Sequence, residues 1–252
     1  MKSYNIESIS KDKRTVFVLT YMGLDYFSRW SQDVRANSDV QFVIVDNGQQ
    51  NVPDSLKDYP RFQTTQNIGC AGGWNLICQL AFKTFNMEKI IITQDDAMFD
   101  SAMLNHVWEQ SNDDVIAGAY NRAFEFSLYG LTQNYWNTVG MFDENFLYVT
   151  YEDNDYKQRA VLFGKQVLCL NYSADLNKSL TSKHITEVAK PANIYNAEYF
   201  ATKWGPSQQF THPFNDESQT PSDLMIFDGL RELYGNIDRF PSISEYEGWV
   251  NQ

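Results

Sequence analysis

Apolar residues in the first hundred positions fall into short continuous runs separated by stretches of helical period. Thr15-Val16-Phe17-Val18-Leu19-Thr20, Gln41-Phe42-Val43-Ile44-Val45 and Lys89-Ile90-Ile91-Ile92-Thr93 are strand-sized and do not alternate. Such runs predict strands covered on both faces, as in a parallel sheet. Arg61 to Thr65 predicts a weaker strand. Between the runs, Asp25 to Ala36 carries Tyr26, Phe27, Trp30 and Val34 at helical spacing. Trp74 to Phe85 places Trp74, Ile77, Cys78, Ala81, Phe82 and Phe85 on one helical face, behind a Gly-rich turn from Asn67 to Gly73. Strand alternating with helix implies right-handed crossovers and helices on both faces of a sheet. Polar punctuation falls at the strand ends, at Thr20-Tyr21, Asp46-Asn47, Asn67 and Asp95-Asp96. That is the carboxyl edge at which open α/β sheets bind ligands.

The second half is less regular. Val115 to Ala119 predicts a strand, Phe124 to Leu131 a β-ribbon, Tyr156 to Leu162 a helix and Lys165 to Leu170 a further strand. Beyond about Ser179 the period fades. Pro191, Pro206, Pro213 and Pro221 predict an irregular wrap, with a helix near Ser222 to Tyr234. Ahead of the Tyr156 helix, Tyr148-Val149-Thr150-Tyr151-Glu152-Asp153-Asn154-Asp155 gathers three carboxylates and an amide. Adjacent carboxylates repel unless water, a cation or a proton relieves them. The bland alternative is a helix cap, which Asp155 suits through the helix dipole.

Composition narrows the class. The 252 residues are 43% hydrophobic and 15% aromatic, an ordinary globular balance. No apolar run reaches bilayer-spanning length and the N-terminus lacks a signal-peptide pattern, so a soluble, cytoplasmic protein is expected. Cys70, Cys78 and Cys169 match no zinc spacing and are expected to be buried free thiols. A net charge of −12 argues against broad attraction to nucleic acid or anionic lipid. The charge is uneven: residues 156–203 hold seven Lys or Arg against three Asp or Glu, whereas 204–252 hold two against eight.

Asn67-Ile68-Gly69-Cys70-Ala71-Gly72-Gly73-Trp74-Asn75 has G-x-x-G-G spacing and follows the third strand, not the first. A dinucleotide-binding oxidoreductase is therefore disfavoured. The segment resembles the N-x-G-x-A-G-G-x-N element of family 2 glycosyltransferases, especially their rhamnosyl- and galactofuranosyltransferase-like members. Other motifs similar to that family follow in order. Gln94-Asp95-Asp96 stands where GT-A enzymes carry D-x-D, with Gln94 in place of the first Asp. Gly140-Met141-Phe142-Asp143-Glu144-Asn145-Phe146 then leads into Glu152-Asp153. The resemblance covers Thr15 to Leu170, with His184 beyond it.

This resemblance implies an α/β GT-A fold, with a Rossmann-like, mostly parallel central sheet flanked by helices and a mixed acceptor-side half. It implies one domain, with a donor half at 1–98, an acceptor half at 99–203 and an irregular, helical extension at 204–252. It implies sugar transfer with inversion from a UDP- or dTDP-linked donor to an acceptor hydroxyl. Asp153 would be general base and Glu152 its orienting neighbour. Donor contacts would come from Thr20, Tyr21, Asp46, Asn47, Asn67, Gly69, Gly72, Gly73, Asn75 and Asp95. Mg2+ or Mn2+ would be held by Asp96, with Asp95 second and His184 a further ligand. Structural alternatives exist for each: a turn at Asp46-Asn47-Gly48, a helix cap at Asp95-Asp96, and tight helix–strand packing at the glycines.

A surface-glycan precursor is the expected acceptor. A hydroxymethylcytosine base in DNA, as in some bacteriophage enzymes, is the alternative: overall acidity opposes it and the basic stretch from Lys157 to Lys203 favours it. A non-catalytic nucleotide-sugar-binding module is a rival from another class, suggested by Gln94. A nucleotidyltransferase would need a basic Gly-rich loop after the first strand, and Thr20 to Asp25 contains no Lys or Arg.

Overall fold

The three longest apolar runs become three adjacent strands with both faces covered. The computed structural model describes residues 1–120, 126–146, 148, 150–171, 196–201, 203 and 204. The strands are β1 (Lys2–Tyr4), β2 (Thr15–Thr20), β3 (Gln41–Asp46), β4 (Arg61–Gln63), β5 (Lys89–Gln94), β6 (Val115–Tyr120), β7 (Leu128–Thr132) and β8 (Gln166–Asn171). The helices are α1 (Leu24–Trp30), α2 (Gln32–Asn37), α3 (Gly69–Cys78), α4 (Ser101–Gln110), α5 (Gln133–Val139) and α6 (Glu152–Leu162). A last helix, α7, lies within 196–204.

All eight described strands form one sheet in the order β1-β4-β3-β2-β5-β7-β6-β8. β2 pairs parallel with β3 and β5, and β3 with β4, so four carboxyl ends share one edge. β7 runs antiparallel to β5 and β6, while β8 returns parallel to β6. This is the GT-A-like arrangement expected, with a mixed second half. Successive side chains in each strand feed opposite layers. Phe17, Leu19, Val43, Val45, Ile90 and Ile92 pack towards α3, whereas Val16, Val18, Phe42, Ile44 and Ile91 pack towards Phe27 and α4.

Several expectations need correction. The helix expected over Asp25 to Ala36 is two helices, broken at Ser31, whose hydroxyl bonds back to the Phe27 carbonyl and accepts from Arg35 Nε at 2.9 Å. Such back-bonding competes with the helical ladder and bends it. The Gly-rich stretch is no separate turn, because α3 begins at Gly69 and widens into a π-type turn at Gln79–Thr84. Glu152, Asp153 and Asp155 lie within the first turn of α6 rather than ahead of it. Cys78 is buried as expected and Cys70 half-buried, but Cys169 is exposed on β8. Edge strand β1, antiparallel to β4, was not anticipated. His184 and the expected helix near Ser222 to Tyr234 lie outside the described residues. No helix among those described is long and apolar enough to cross a membrane.

Candidate active site

The β5 end delivers two consecutive carboxylates to the shared edge. Asp95 turns towards β2, where its Oδ2 accepts from Thr20 Oγ1 at 2.6 Å and from the Tyr21 amide at 3.1 Å. Its carbonyl accepts from Trp30 Nε1 at 2.7 Å. Gly23 leaves the space this carboxylate occupies, since a Cβ there would overlap it. Burial raises Asp95 to about 7, opposed by the Thr20 hydrogen bond and reinforced by the charge of Asp96. Asp96 beside it is 3% exposed.

At the end of β3, on the far side of β2, Asp46 is wholly buried and both its oxygens are engaged. Oδ1 accepts from the Gly48 amide at 3.2 Å and Gln50 Nε2 at 3.0 Å, while Oδ2 accepts from the Gln50 amide at 3.0 Å and Gln63 Nε2 at 2.8 Å. As placed, this carboxylate shapes the β3 turn. The ring of Tyr21 lies over Gly48, where a Cβ would stand 2.7 Å from its carbons. Asn47 pins the next connection: its Nδ2 donates to Asn67 Oδ1 at 3.0 Å and the Gly69 carbonyl at 3.1 Å, and its Oδ1 accepts from the Ile68 amide at 2.9 Å.

The glycines of α3 serve approach. Gly69 has φ 76°, a left-handed conformation, and a Cβ on it would press on the Tyr148 backbone at 3.2 Å. Gly73 faces Leu19 of β2, where a Cβ would come within 2.5 Å, and a Cβ on Gly72 would meet Ile68 at 3.3 Å. Asn75 is fully buried below the edge. Its amide brackets Phe142, donating to the carbonyl at 2.9 Å and accepting from the N–H at 2.8 Å, and reaches Glu144 Oε1 at 2.7 Å. Gly73 and Asn75 are therefore both engaged in joining elements, Gly73 to β2 and Asn75 to the turn at Phe142.

Onto this helix N-terminus folds the acidic loop. The Cys70 amide donates to the Tyr148 carbonyl at 2.7 Å. Tyr148, Thr150 and Tyr151 all take left-handed φ, at 55°, 79° and 70°. Each costs on the order of 1 kcal/mol in a non-glycine residue, and such outliers persist where surrounding contacts over-determine them. The loop presents two adjacent carboxylates in unlike settings. Glu152 is 5% exposed, and its Oε2 has no hydrogen-bond partner among the described residues. Burial, with the Asp153 charge adding and Lys157 opposing, lifts Glu152 to about 8. The Asp153 side chain is 18% exposed, with Oδ1 accepting from the Asn154 amide at 2.7 Å and Oδ2 lying 3.6 Å from Lys157 Nζ.

Cys70 marks where the two acidic pairs converge. Burial pushes its thiol well above the ordinary value, and the charges of Glu152, Asp96, Asp153 and Asp95 all add to the shift. The charges of two acidic pairs, one after β5 and one opening α6, thus both act on this thiol, though burial is the larger cause of its shift. Cys70, Phe142 and Glu144 stand in the quoted motifs, but sequence reasoning missed how they connect, because pairings between distant segments leave no local signal. For a divalent cation, the donor set has the right chemistry: hard oxygens whose mutual repulsion a cation would relieve. Among the described residues no group of three or more His, Cys, Asp or Glu is placed to hold a metal by itself.

No protein-family model and no curated relative matches the sequence. Among solved structures, the chain is similar to GalNAc-T7, determined with UDP, GalNAc and Mn2+, at TM-score 0.52 and 11% identity. That match covers 88% of this chain and spans 54% of GalNAc-T7. It is also similar to the galactosyltransferase LgtC, solved with donor and acceptor sugar analogues, at TM-score 0.43 and 15% identity over 63% of this chain and 73% of that one. A third is 2-C-methyl-D-erythritol 4-phosphate cytidylyltransferase from Thermus thermophilus, at TM-score 0.46 and 8% identity over 72% and 99%. The first of these supports the fold, and at such identities fold is all that transfers.

Proposed function

We propose that the chain is a glycosyltransferase that moves a sugar from a nucleotide-sugar donor to an acceptor hydroxyl. The observation that carries the reading is that the loop leading into Glu152-Asp153 is bonded to the start of α3 through the Cys70 amide, on a GT-A-like sheet whose β5 end supplies Asp95-Asp96, and that the charges of both acidic pairs act on the Cys70 thiol. The donor half at 1–98 supplies the strand-end edge, where Thr20, Tyr21, Asn47, Asn67 and Gly69 line or shape the approach. The acceptor half at 99–203 supplies the base. The resemblance to the rhamnosyl- and galactofuranosyltransferase-like subgroup of family 2 supports an inverting reaction and a UDP- or dTDP-linked donor.

In this reading Asp153, the more accessible carboxylate, takes the proton from the acceptor oxygen as that oxygen attacks the anomeric carbon in line. Glu152, protonated near neutrality, removes one negative charge from beside it. Asp96, with Asp95 behind it, would hold Mg2+ or Mn2+ together with the donor's own diphosphate. The cation would supply charge compensation for the departing nucleoside diphosphate. His184 lies outside the described residues.

A thermal-shift screen of nucleotide sugars should find one that raises the melting temperature, since a ligand of the native state alone stabilises it. Hydrolysis of that donor with Mn2+ should cease in EDTA. Asp153→Asn should lower transfer at least about 100-fold with donor affinity retained. Full activity in that variant would refute the assigned base, and tight donor binding without turnover would mark a binding module instead.

A further inference from the structure

The 140–146 turn, the first turn of α6 and the distant α7 meet through one cation. Lys203 Nζ lies 2.6 Å from Asp143 Oδ2 and 2.5 Å from Asp155 Oδ1. Asp143 belongs to the turn that Asn75 holds, and Asp155 sits in the first turn of α6, two residues beyond Asp153. Trp204 Nε1 donates to the same Asp155 oxygen at 2.9 Å, and the Tyr199 hydroxyl to Asp143 Oδ2 at 2.9 Å. Arg159 binds the other Asp155 oxygen through Nε at 2.9 Å and the Val139 carbonyl through an Nη at 2.9 Å. The four charged side chains are each 2% exposed or less.

The same α7 reaches the loop from its other end. Asn196 Nδ2 donates to the Thr150 carbonyl at 3.1 Å, within the left-handed run that leads into Glu152. The Cys70 amide holds that run on the opposite side through Tyr148. Phe200 and Trp204 close over Phe146, so α7 is seated by apolar contact as well. Apolar contact would suffice for adhesion, because replacing a buried ion cluster with apolar residues is often neutral or stabilising. Directional bonds do what apolar contact does not: they fix the rotation of α6 about its axis and the height of its first turn.

We infer that α7 is a brace, and that Lys203 and Asn196 are positioning residues for the Glu152-Asp153 pair. Its catalytic consequence rests on the glycosyl-transfer reading above. Its structural consequence does not: the loop is bonded to the Cys70 amide, so its displacement should expose the half-buried Cys70 further. Full-length protein carrying Cys169→Ser, which removes the exposed thiol, reports this through Cys70 alkylation by iodoacetamide. Asn196→Ala and Lys203→Met should each speed that alkylation by about tenfold, as local opening becomes more populated. Both should lower kcat for the selected nucleotide sugar by about 10- to 100-fold with donor KM within about twofold. Lys203→Arg, which keeps the charge, should recover most of kcat and the slow alkylation. If Lys203→Met fails to fold, Asn196→Ala, which removes one neutral hydrogen bond, decides the matter. Alkylation and kcat both at parental values in a folded Asn196→Ala would overturn the brace. Should the parental protein turn over no nucleotide sugar, the functional reading falls, and the alkylation rates alone support or reject the brace.

Discussion

Glu152 and Asp153 share a peptide bond yet sit in different media, and the difference has a thermodynamic signature. Glu152 titrates near 8 in the folded chain against an ordinary value of 4.5. Between those values the folded state holds the extra proton, so stability falls as pH rises through that window. Glu152→Gln should therefore leave stability near pH 4 unchanged and raise it by about 2–4 kcal/mol above pH 8. Urea titrations at the two pH values check this, and equal stability of the two proteins at high pH would contradict the buried setting. The run of adjacent carboxylates, with the resemblance to family 2 glycosyltransferases, singled out Asp153, Glu152, Asp95 and Asp96 as candidates. The setting of Asp46 was not legible in the same way, because its partners Gln50 and Gln63 carry no motif and arrive from a turn and from β4.

At the scale of elements, α3 and α6 are joined at their N-termini, and both starts were misjudged from sequence. Glycine disfavours a helix interior, so Gly69 to Gly73 reads as turn. Tertiary contacts override that propensity: Asn47 fastens the entrance, and the Cys70 amide is satisfied by Tyr148. Asn75→Ala tests whether this helix serves structure or donor. Losing the bracket on Phe142 and the bond to Glu144 should cost about 1–3 kcal/mol in denaturant unfolding. Donor affinity by titration calorimetry should stay within about twofold. A loss of affinity at unchanged stability would instead bring Asn75 into direct donor contact.

Over the whole molecule, the parallel half was readable because each doubly buried strand leaves an uninterrupted apolar run. The order of β7, β6 and β8 was not, since antiparallel insertion between β5 and β6 depends on pairings that no single run encodes. The β5 end sets Asp95 and Asp96 side by side in a chain already at net charge −12. Mn2+ at 100 times its dissociation constant should then stabilise the fold by about 2.7 kcal/mol, reversed by EDTA, and a melting temperature indifferent to both would argue against a cation there. The bracket between Asn75 and the Phe142–Glu144 turn has an evolutionary corollary. If the chain is a glycosyltransferase as proposed, donor preference should drift through the strand-end loops, whereas exchanging α3 without the turn at 140–145 breaks the Asn75 bonds. A chimera exchanging one without the other would sever this buried joint, so recombination that keeps the two together is the kind expected to fold.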